Sequence, residues 1–496
     1  MVVDFEPKLG LVMLICLLVF ELLIIANNTL WALRRYFSFI LSGVMGAAIS
    51  LITIQQSLWV ILLLTYLGIV QLILILRLAG SNIDQKKSRK LSKKSFVYIN
   101  LLTFAVYLIS PLPNIVKLAV YCCVGIIFVT LVIVLIKTLK SKVRPILPSL
   151  NSDELPTVTL AIPSRNENYD LVQALEQAIN SNYPKLEIVV LDDCSGIAVN
   201  EIIKHFAQEG VIFLKGTQPR AYWLAKNWAY EQLLHNANGE YIIYAGVDVR
   251  MDTGSIGQIV AQMQSNNYNM LSVLPVRVWQ KYDWYLLLQS LRYHRIFSGL
   301  SHVKQPPPPL SSCFVVKKDP LVKTGGFNTC RNSIYPEKVI AKNLKNYNFL
   351  ISDKTIKLTS VKSLEEQFNT AVRTYYPLTR LCPEKIALRA IILAFMLMIS
   401  AKAVYIYVTT GQIEVMVAIL IVLGLLVHIY VGYAVKIHNI IVWTCQLPLL
   451  VLSEIFIMHY SMFKYEFSDV IWKGRNVCIP LLRYEKSLPK TDLKTQ

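Results

Sequence analysis

Long apolar runs occupy both ends of this chain, and a more polar stretch separates them. A helix of about 20 consecutive apolar residues crosses a bilayer, so each run is a candidate membrane span. The N-terminal candidates are Leu9–Ala26, Phe37–Ile54, Leu58–Leu76, Phe96–Ile109 and Leu118–Ile136. Hydrophobic residues make up 54% of the chain and the mean hydropathy is +0.46, which excludes a purely soluble protein.

The basic residues between these runs predict how the chain is oriented. Arg34, Arg35 and the basic runs 86–94 and 137–144 fall in alternate loops, and the other two turns are nearly free of charge. Cytoplasmic loops carry the excess of Lys and Arg. We therefore predict five N-terminal spans in the inner or plasma membrane. The N-terminus is then outside, and the segment from about residue 145 onward is cytoplasmic.

The net charge of +19 would suit either nucleic acid or a membrane as a partner. The basic residues cluster between apolar runs, which favours membrane topology and contact with anionic lipid over nucleic acid. The nine cysteines lack the spacing of a zinc site or a disulfide framework, as expected of a domain in a reducing cytoplasm. His294 and His459 have no partner at metal-ligand spacing, so we interpret them as structural or interfacial residues.

Three more apolar stretches follow in the C-terminal part: Ile386–Ser400, Val415–Val435 and Ile440–Met462. Arg389 and Lys402 bound the first and leave only about 12 uninterrupted uncharged residues, which is short for a span. We therefore expect the first stretch to lie in the membrane interface and the tail to be cytoplasmic. The predicted parts are a membrane bundle, an α/β domain, C-terminal apolar segments and a basic tail, at residues 1–145, 146–382, 383–462 and 463–496.

The polar stretch alternates short apolar runs with helix-period patterns. Four runs are predicted strands: 158–163, 186–191, 211–214 and 241–244. Such runs between amphipathic helices indicate a parallel sheet that is covered on both faces. Ligands of these sheets bind beyond the carboxyl ends of the strands, where Asp192, Asp193 and Asp248 stand. The sequence therefore predicts an α/β, Rossmann-like domain that places a nucleotide and a metal at these acids.

Several stretches resemble the successive signatures of family-2 glycosyltransferases with the GT-A fold. They are Pro163-Ser164-Arg165-Asn166-Glu167, Leu191-Asp192-Asp193-Cys194-Ser195 and Val247-Asp248. The segment 223–229 resembles the W-x-G-K segment of a membrane subgroup that includes the hopanoid-associated and diaponeurosporenoate glycosyltransferases. Trp472-Lys473-Gly474-Arg475 is similar to a closing W-[KR]-G-R segment of that subgroup. The resemblance covers about residues 156–380 and part of the tail, and the N-terminal spans lie outside it.

This resemblance implies transfer of a sugar from a nucleotide-sugar donor, foremost a UDP-sugar, with inversion at the anomeric carbon. It implies that Glu337 is the catalytic base and that Asp248 binds Mg²⁺ or Mn²⁺. Its implied donor-binding residues are Arg165, Glu167, Asp192, Asp193, Lys226, Gly325, Gly326, Arg373, Trp472 and Arg475. A lipid or polyisoprenoid-like acceptor is expected, because a donor site between membrane segments suits an amphiphile.

The sequence departs from the family pattern at three places. Gly246 stands where D-x-D has its first Asp, Ala225 replaces the glycine of W-x-G-K, and Pro336-Glu337 replaces an E-D pair. One carboxylate, phosphate oxygens and water can still hold a cation. A base displaced by about 1 Å, however, can cost about a hundredfold in rate. No Q-x-x-R-W segment follows Glu337, which argues against a processive polysaccharide synthase.

Each of these residues also has a plainer interpretation. The strand-end acids can cap helices or close turns, and Glu337 can be a solvated first-turn acid. Arg373 can be an exposed helix charge, and the segment 472–475 an interfacial anchor. Two other functions stay open. One is a catalytically degenerate relative that acts as a binding or assembly partner. The other is a transporter or flippase. The N-terminal spans argue against it, because they lack charged residues deep inside, apart from Glu21 towards the end of one span.

Overall fold

The computed structural model forms two compact units. The helical unit draws on Met1–Ile126, Phe368–Val417 and Val451–Gln496, and the α/β unit draws on Ile127–Gln367 and Ala418–Leu450. Both ends of the chain therefore contribute to the helical unit. The structure describes residues 5–27, 30, 33–53, 56–79, 85–109, 113–143, 154–195, 199–278, 291–298, 306–309, 312–412 and 415–477.

The N-terminal part of the chain is helical. Its helices are α1 (Phe5–Ala26), α2 (Arg34–Thr53), α3 (Leu58–Ala79), α4 (Gln85–Ile109) and α5 (Pro113–Lys140). They are built mostly from Leu, Ile, Val and Phe, and large apolar side chains remain exposed on their surfaces. Helices that are apolar all round are typical of membrane spans.

A parallel four-stranded sheet begins the α/β unit. Its strands are β1 (Val158–Ser164), β2 (Leu186–Asp192), β3 (Ile212–Lys215) and β4 (Tyr241–Ala245). They lie in the order β3–β2–β1–β4, and every neighbouring pair is parallel. The intervening helices are α6 (Asn168–Ile179), α7 (Val199–Ala207) and α8 (Ala225–Asn236). The four predicted strands and their parallel arrangement are thus confirmed.

The following elements extend this sheet and add a second one. They are β5 (Val249–Met251), α9 (Ser255–Ser265), β6 (Met270–Leu274), β7 (Val276–Arg277), α10 (Leu291–Phe297), β8 (Cys313–Lys317), α11 (Lys318–Lys323), a 3₁₀ helix (Gly326–Cys330), α12 (Pro336–Leu344), β9 (Tyr347–Ile351), β10 (Leu358–Ser360) and α13 (Leu364–Leu378). The large sheet has the order β3–β2–β1–β4–β8–β6–β9, and the small one has the order β5–β10–β7. Since β8 is antiparallel to both β4 and β6, the large sheet is mixed rather than wholly parallel.

The large sheet is covered on both faces, as the apolar runs predict. Successive strand residues point to opposite sides, so an uninterrupted apolar strand buries both. Leu160 and Ile162 of β1 pack in one core with Leu171 of α6. Ala161, between them in sequence, packs in the other core with Leu233 of α8. This double burial fixes the strand register and therefore the positions of the strand ends.

The C-terminal part returns to apolar helices. These are α14 (Pro383–Thr410), α15 (Val415–Ala434), α16 (Ile440–Cys445) and α17 (Leu447–Phe467), followed by a hairpin of β11 (Ile471–Trp472) and β12 (Arg475–Asn476). The predicted single stretch 440–462 is divided into two helices at Gln446. The predicted stretch 386–400 belongs to one continuous helix that runs through Lys402 to Thr410.

Seven of the described helices are long and apolar enough to cross a membrane: Leu9–Ala26, Tyr36–Thr53, Leu58–Arg77, Tyr121–Lys140, Pro383–Thr410, Val415–Ala434 and Leu447–Phe467. The chain therefore has the helices of a membrane protein. Helix α4 is not among the seven, because its first turns hold the basic run 86–94. The predicted interfacial position of α14 and the cytoplasmic side of the α/β domain stay predictions, since length and composition do not set them.

Charged and polar side chains connect distant helices inside the helical unit. Arg77 at the end of α3 is paired with Glu466 of α17, and its guanidinium donates to the Tyr376 hydroxyl at 2.6 Å. The side chains of Arg77 and Glu466 are only 2% and 0% exposed. The amides of Gln71 and Asn100 donate to the carboxylate oxygens of the buried Glu21, at 3.2 and 3.1 Å.

The two histidines that we interpreted as structural both have side-chain partners. His459 of α17 is 2.7 Å from the hydroxyl of Tyr66 in the helical unit. In the α/β unit, Nε2 of His294 lies 2.9 Å from Nδ1 of His428, whose ring stacks on Trp443.

Candidate active site

The first part of the site lies beyond the carboxyl ends of β1 and β2. The two strands pair in register with Ser164 beside Asp192. The backbone N–H of Asp193 donates to the Ser164 carbonyl at 2.8 Å, which extends this pairing by one step. Arg165, which follows β1, donates from Nη1 to the carbonyl oxygens of Asp193 and Cys194, at 2.6 and 3.3 Å. The parallel register therefore brings Arg165 onto the loop that follows β2.

Asp192 has a structural role in that loop. Its Oδ1 accepts the backbone N–H of Ser195 at 2.9 Å, which closes a tight turn. Cys194 within the turn has a φ of +58°, a left-handed conformation that is uncommon for residues other than glycine. Asp193 is only 5% exposed. Asp192 thus closes a turn, as its plainer interpretation predicts. The donor-binding roles of Asp192, Asp193 and Glu167 stay predictions.

Asp248 stands just before β5 and contacts the end of β10. Its Oδ2 accepts the Ser360 hydroxyl at 3.0 Å and lies 3.4 Å from Nζ of Lys362. Burial alone would raise the pKa of Asp248, but Lys362, together with Ser360, outweighs burial and holds this pKa below its ordinary value. Asp248 is therefore an ionised carboxylate with a lysine partner.

The predicted cation can be compared with these contacts. In the described part of the chain, no group of three or more His, Cys, Asp or Glu side chains is arranged to hold a metal ion. Asp248 is the one predicted metal ligand, and the Lys362 ammonium already lies against its carboxylate. The residues present thus do not form a ready cation site, and a Mg²⁺ or Mn²⁺ cofactor stays a prediction.

The predicted base, Glu337, lies in the first turn of α12 and is only 3% exposed. Its Oε1 is 2.5 Å from Nζ of Lys226, which lies in the first turn of α8 and is 28% exposed. The amide of Asn227 donates to the carbonyls of Cys330, Arg331 and Ser333, which holds α8 against the loop before α12. Glu337 is therefore a buried, paired carboxylate and not the solvated first-turn acid of the plainer interpretation.

The glycine pair before the 3₁₀ helix is required by local geometry. Gly325 and Gly326 have φ values of +88° and +55°, which favour glycine. A Cβ on Gly326 would lie 2.8 Å from Oε2 of Glu231, and that oxygen accepts the backbone N–H of Phe327 at 2.8 Å. The glycines thus admit the Glu231 carboxylate, whereas their predicted contact with donor or acceptor stays a prediction.

The remaining predicted donor residues cluster in the helical unit. Trp472 and Arg475 pair across a hairpin whose turn residues, Lys473 and Gly474, have φ values of +49° and +73°. Two left-handed residues form the turn that suits a two-residue hairpin, which explains the glycine of the W-K-G-R segment. The guanidinium of Arg373 lies 4.4 Å from the Trp472 ring centroid, a cation–π contact.

The predicted site residues therefore fall into two groups. Nine belong to the α/β unit: Arg165, Glu167, Asp192, Asp193, Lys226, Asp248, Gly325, Gly326 and Glu337. Three belong to the helical unit: Arg373, Trp472 and Arg475. Sequence reasoning missed Ser360 and Lys362, since nothing in the run 358–362 points to Asp248, more than 100 positions earlier.

Comparison with known proteins identifies the class of the α/β unit. Residues 159–320 match the family model "Glycosyl transferase family 2". A 101-residue segment is 32% identical to the probable glycosyltransferase YdaM of Bacillus subtilis (strain 168), covering 20% of this chain and 24% of that protein. The match thus spans about a quarter of the relative. The α/β part of this chain is a glycosyl transferase family 2 domain, and the predicted family and GT-A-like fold are confirmed.

Two solved structures share a weaker likeness. One is the mannosyltransferase PcManGT from Pyrobaculum calidifontis in complex with GDP-Man and Mn²⁺, with a TM-score of 0.38 and 14% identity. That match covers 70% of this chain and 97% of the other. The second is S. aureus TarS 1–349, with a TM-score of 0.30 and 11% identity over 64% and 95% of the two chains. Likenesses at this level say nothing about the donor or acceptor of this chain.

Proposed function

We propose that this chain is an integral-membrane, inverting glycosyltransferase that moves a sugar from a nucleotide-sugar donor to a lipid-like acceptor. The observation that carries the proposal is the family 2 domain with Asp192, Asp193 and Asp248 beyond the carboxyl ends of its strands. UDP-sugars are the first donors to test. The catalytic domain is taken to face the cytoplasm at the inner or plasma membrane, so that a lipid acceptor reaches it along the bilayer surface.

Glu337 is the proposed base. An acceptor hydroxyl oxygen forms the new bond to the anomeric carbon, and the bond from that carbon to the donor diphosphate breaks. The hydroxyl proton passes to the Glu337 carboxylate, and the nucleoside diphosphate leaves with the bonding electron pair. Lys226 Nζ lies 2.5 Å from Glu337 Oε1, so this contact holds the proposed base beside the start of α8.

The other proposed contacts follow the sequence-based prediction. Arg165 and Lys226 supply positive charge beside the loop after β2 and beside Glu337, respectively. Asp248 is the residue that would hold a Mg²⁺ or Mn²⁺ ion, and such an ion would have to compete with Lys362. Arg373, Trp472 and Arg475 are also proposed donor-binding residues.

The test uses membranes that contain the full chain, total lipid extract and a panel of radiolabelled nucleotide sugars, with and without Mn²⁺. We expect label from one donor to appear in lipid. Glu337→Gln should abolish transfer, because an amide cannot accept the proton, and Asp248→Ala should lower it strongly. Glu365→Gln, at an exposed acid on α13, is the matched control and should transfer at the parental rate.

A second function is favoured by one observation, the pairing of both key acids with lysines. Glu337 is paired with Lys226 and Asp248 with Lys362, and these contacts would compete with proton acceptance at Glu337 and with a cation at Asp248. Donor binding without transfer or hydrolysis, unchanged by Glu337→Gln, would establish this degenerate relative. If soluble and lipid-linked acceptors were turned over equally, the proposed lipid acceptor would be contradicted, whereas the proposed glycosyltransferase activity would stand.

A further inference from the structure

The ion pair between Asp248 and Lys362 occupies the place where the family pattern predicts a divalent cation. The Asp248 side chain is 16% exposed and that of Lys362 is 26% exposed, so both side chains of the pair are only partly buried. An ammonium has three N–H donors. In the described part of the chain, Asp248 is the only carboxylate within ion-pair distance of Lys362. Donors therefore remain for a ligand.

The fold holds Lys362 in this position. Strand β10 runs antiparallel to β5 with Ser360 opposite Val249, and the backbone N–H of Val361 donates to the Asp248 carbonyl at 3.0 Å. The carbonyl of Lys362 accepts from Nη2 of Arg277 at 2.9 Å and from Nε2 of Gln367 at 3.2 Å. The backbone is thus fixed on both sides of the lysine, and the ammonium has its ion-pair contact with Asp248.

The Asp248 carboxylate lies beside Gly246, the position where the family pattern has its first acid. A Cβ at position 246 would lie 2.5 Å from Oδ1 of Asp248, which is too close. A side chain at position 246 would therefore require the end of the Asp248 side chain to shift. Glycine at this position leaves the Asp248 carboxylate where it contacts Ser360 and Lys362 through Oδ2.

The net charge at this position is the same with a divalent cation as with Lys362. Two carboxylates with one divalent cation sum to zero, and so do one carboxylate and one ammonium. The chain has Gly246 where the family pattern has an acid, and Lys362 lies beside the other acid, Asp248. A fixed positive charge aimed at a developing anion lowers its energy whether a metal or a side chain carries it.

We infer that Lys362, held by Asp248, binds the diphosphate of the donor in place of a divalent cation, so that donor binding is independent of metal. This inference rests on the proposed glycosyltransferase function. Lysine is a common phosphate ligand that acts as a compact charge, and its N–H groups form short, charge-assisted bonds to phosphate oxygens. Asp248 is then a positioning residue that orients the ammonium, and it does not ligate a metal.

The test measures binding of UDP, GDP, CDP, dTDP and ADP to the full chain in detergent micelles, by equilibrium dialysis in excess EDTA and in Mn²⁺. We expect one nucleotide to bind equally well in both. Lys362→Met should weaken it at least about tenfold, the loss of one charge-assisted hydrogen bond, and Lys362→Arg should retain part of the affinity. Lys357→Met is the matched control, because this exposed lysine beside β10 pairs with Asp252 and should leave binding unchanged.

Two further outcomes separate the possibilities. Binding that requires Mn²⁺ and is unaffected by Lys362→Met overturns the inference and leaves the transferase proposal standing. No binding of any of the five nucleotides overturns the transferase proposal, and the inference with it. The variant Gly246→Asp/Lys362→Met gives a gain-of-function readout. It restores two acids and removes the ammonium, so its nucleotide binding should become dependent on Mn²⁺. The denaturation midpoint of Lys362→Met is the folding control. If it equals that of the parent protein, the loss of nucleotide binding is not caused by unfolding.

Discussion

Arg77→Met is expected to destabilise the helical unit strongly. The substitution keeps a side chain of similar length but removes the charge that pairs with Glu466. The Glu466 side chain is 0% exposed, so its carboxylate cannot recover solvent. Breaking a buried ion pair by removing one partner costs about 3–5 kcal/mol. Glu466 retains the hydroxyl of Tyr376, which places the expected loss near the lower end, about 3 kcal/mol.

The assay is unfolding by SDS in mixed micelles, followed by far-ultraviolet circular dichroism, for four proteins. These are the parent, Arg77→Met, Glu466→Gln and the double variant. Because the double variant leaves no unpaired charge, its loss should be smaller than the sum of the single losses by about 1–3 kcal/mol. Lys402→Met, at an exposed position on α14, is the control and should remain within about 0.5 kcal/mol of the parent.

Two results would refute this reasoning. One is strict additivity of the two single losses, which would mean that Arg77 and Glu466 do not stabilise each other. The other is an Arg77→Met protein as stable as the parent. Either would show that the buried contact contributes nothing beyond what lipid or detergent supplies.

Two further predictions concern packing and pH in the α/β unit. A methyl group on Gly432 would lie 2.1 Å from a ring carbon of Trp443, so Gly432→Ala should lower stability by about 1–3 kcal/mol. Gly424→Ala, whose added methyl has its nearest neighbour at 3.8 Å, should not, and denaturation midpoints of the two variants decide. Burial, with a contribution from His428, lowers the pKa of His294 from 6.5 to about 3. Its neutral form is therefore favoured by folding, so stability is complete above pH 6.5 and falls below it by up to about 1.4 kcal/mol per pH unit. His294→Gln should flatten that slope between pH 6.5 and 3, and equal slopes in both proteins would contradict the assignment.

Local patterns predicted the centre of the fold. The four strands β1 to β4 were found because each is a short apolar run. Strands β1, β2 and β4 contain consecutive buried residues, whereas the edge strand β3 is only partly buried. The strand-end acids follow directly from the ends of those runs. The antiparallel β8 was not predicted, because strand direction in a sheet depends on connections that periodicity does not encode.

Long-range partners account for what the sequence left open. Lys362 reaches Asp248 only because β10 pairs with β5, and Glu337 meets Lys226 only because α12 packs near α8. Both lysines are ordinary residues in sequence. The break at Gln446 and the extension of α14 to Thr410 show that hydropathy locates apolar stretches better than it locates helix ends. Helix ends depend on local capping and on packing.

The pairing of Arg77 with Glu466 also has a consequence for how the chain is made. The two residues are 389 positions apart, so the partner of Arg77 is synthesised long after Arg77 itself. At about 5–20 residues per second, this delay is roughly 20–80 s. During that time the guanidinium at the end of α3 has no carboxylate from α17, and an unpaired arginine is costly inside a bilayer. The N-terminal helices therefore complete their assembly only after translation of α17, and a chain truncated before Glu466 should be prone to degradation.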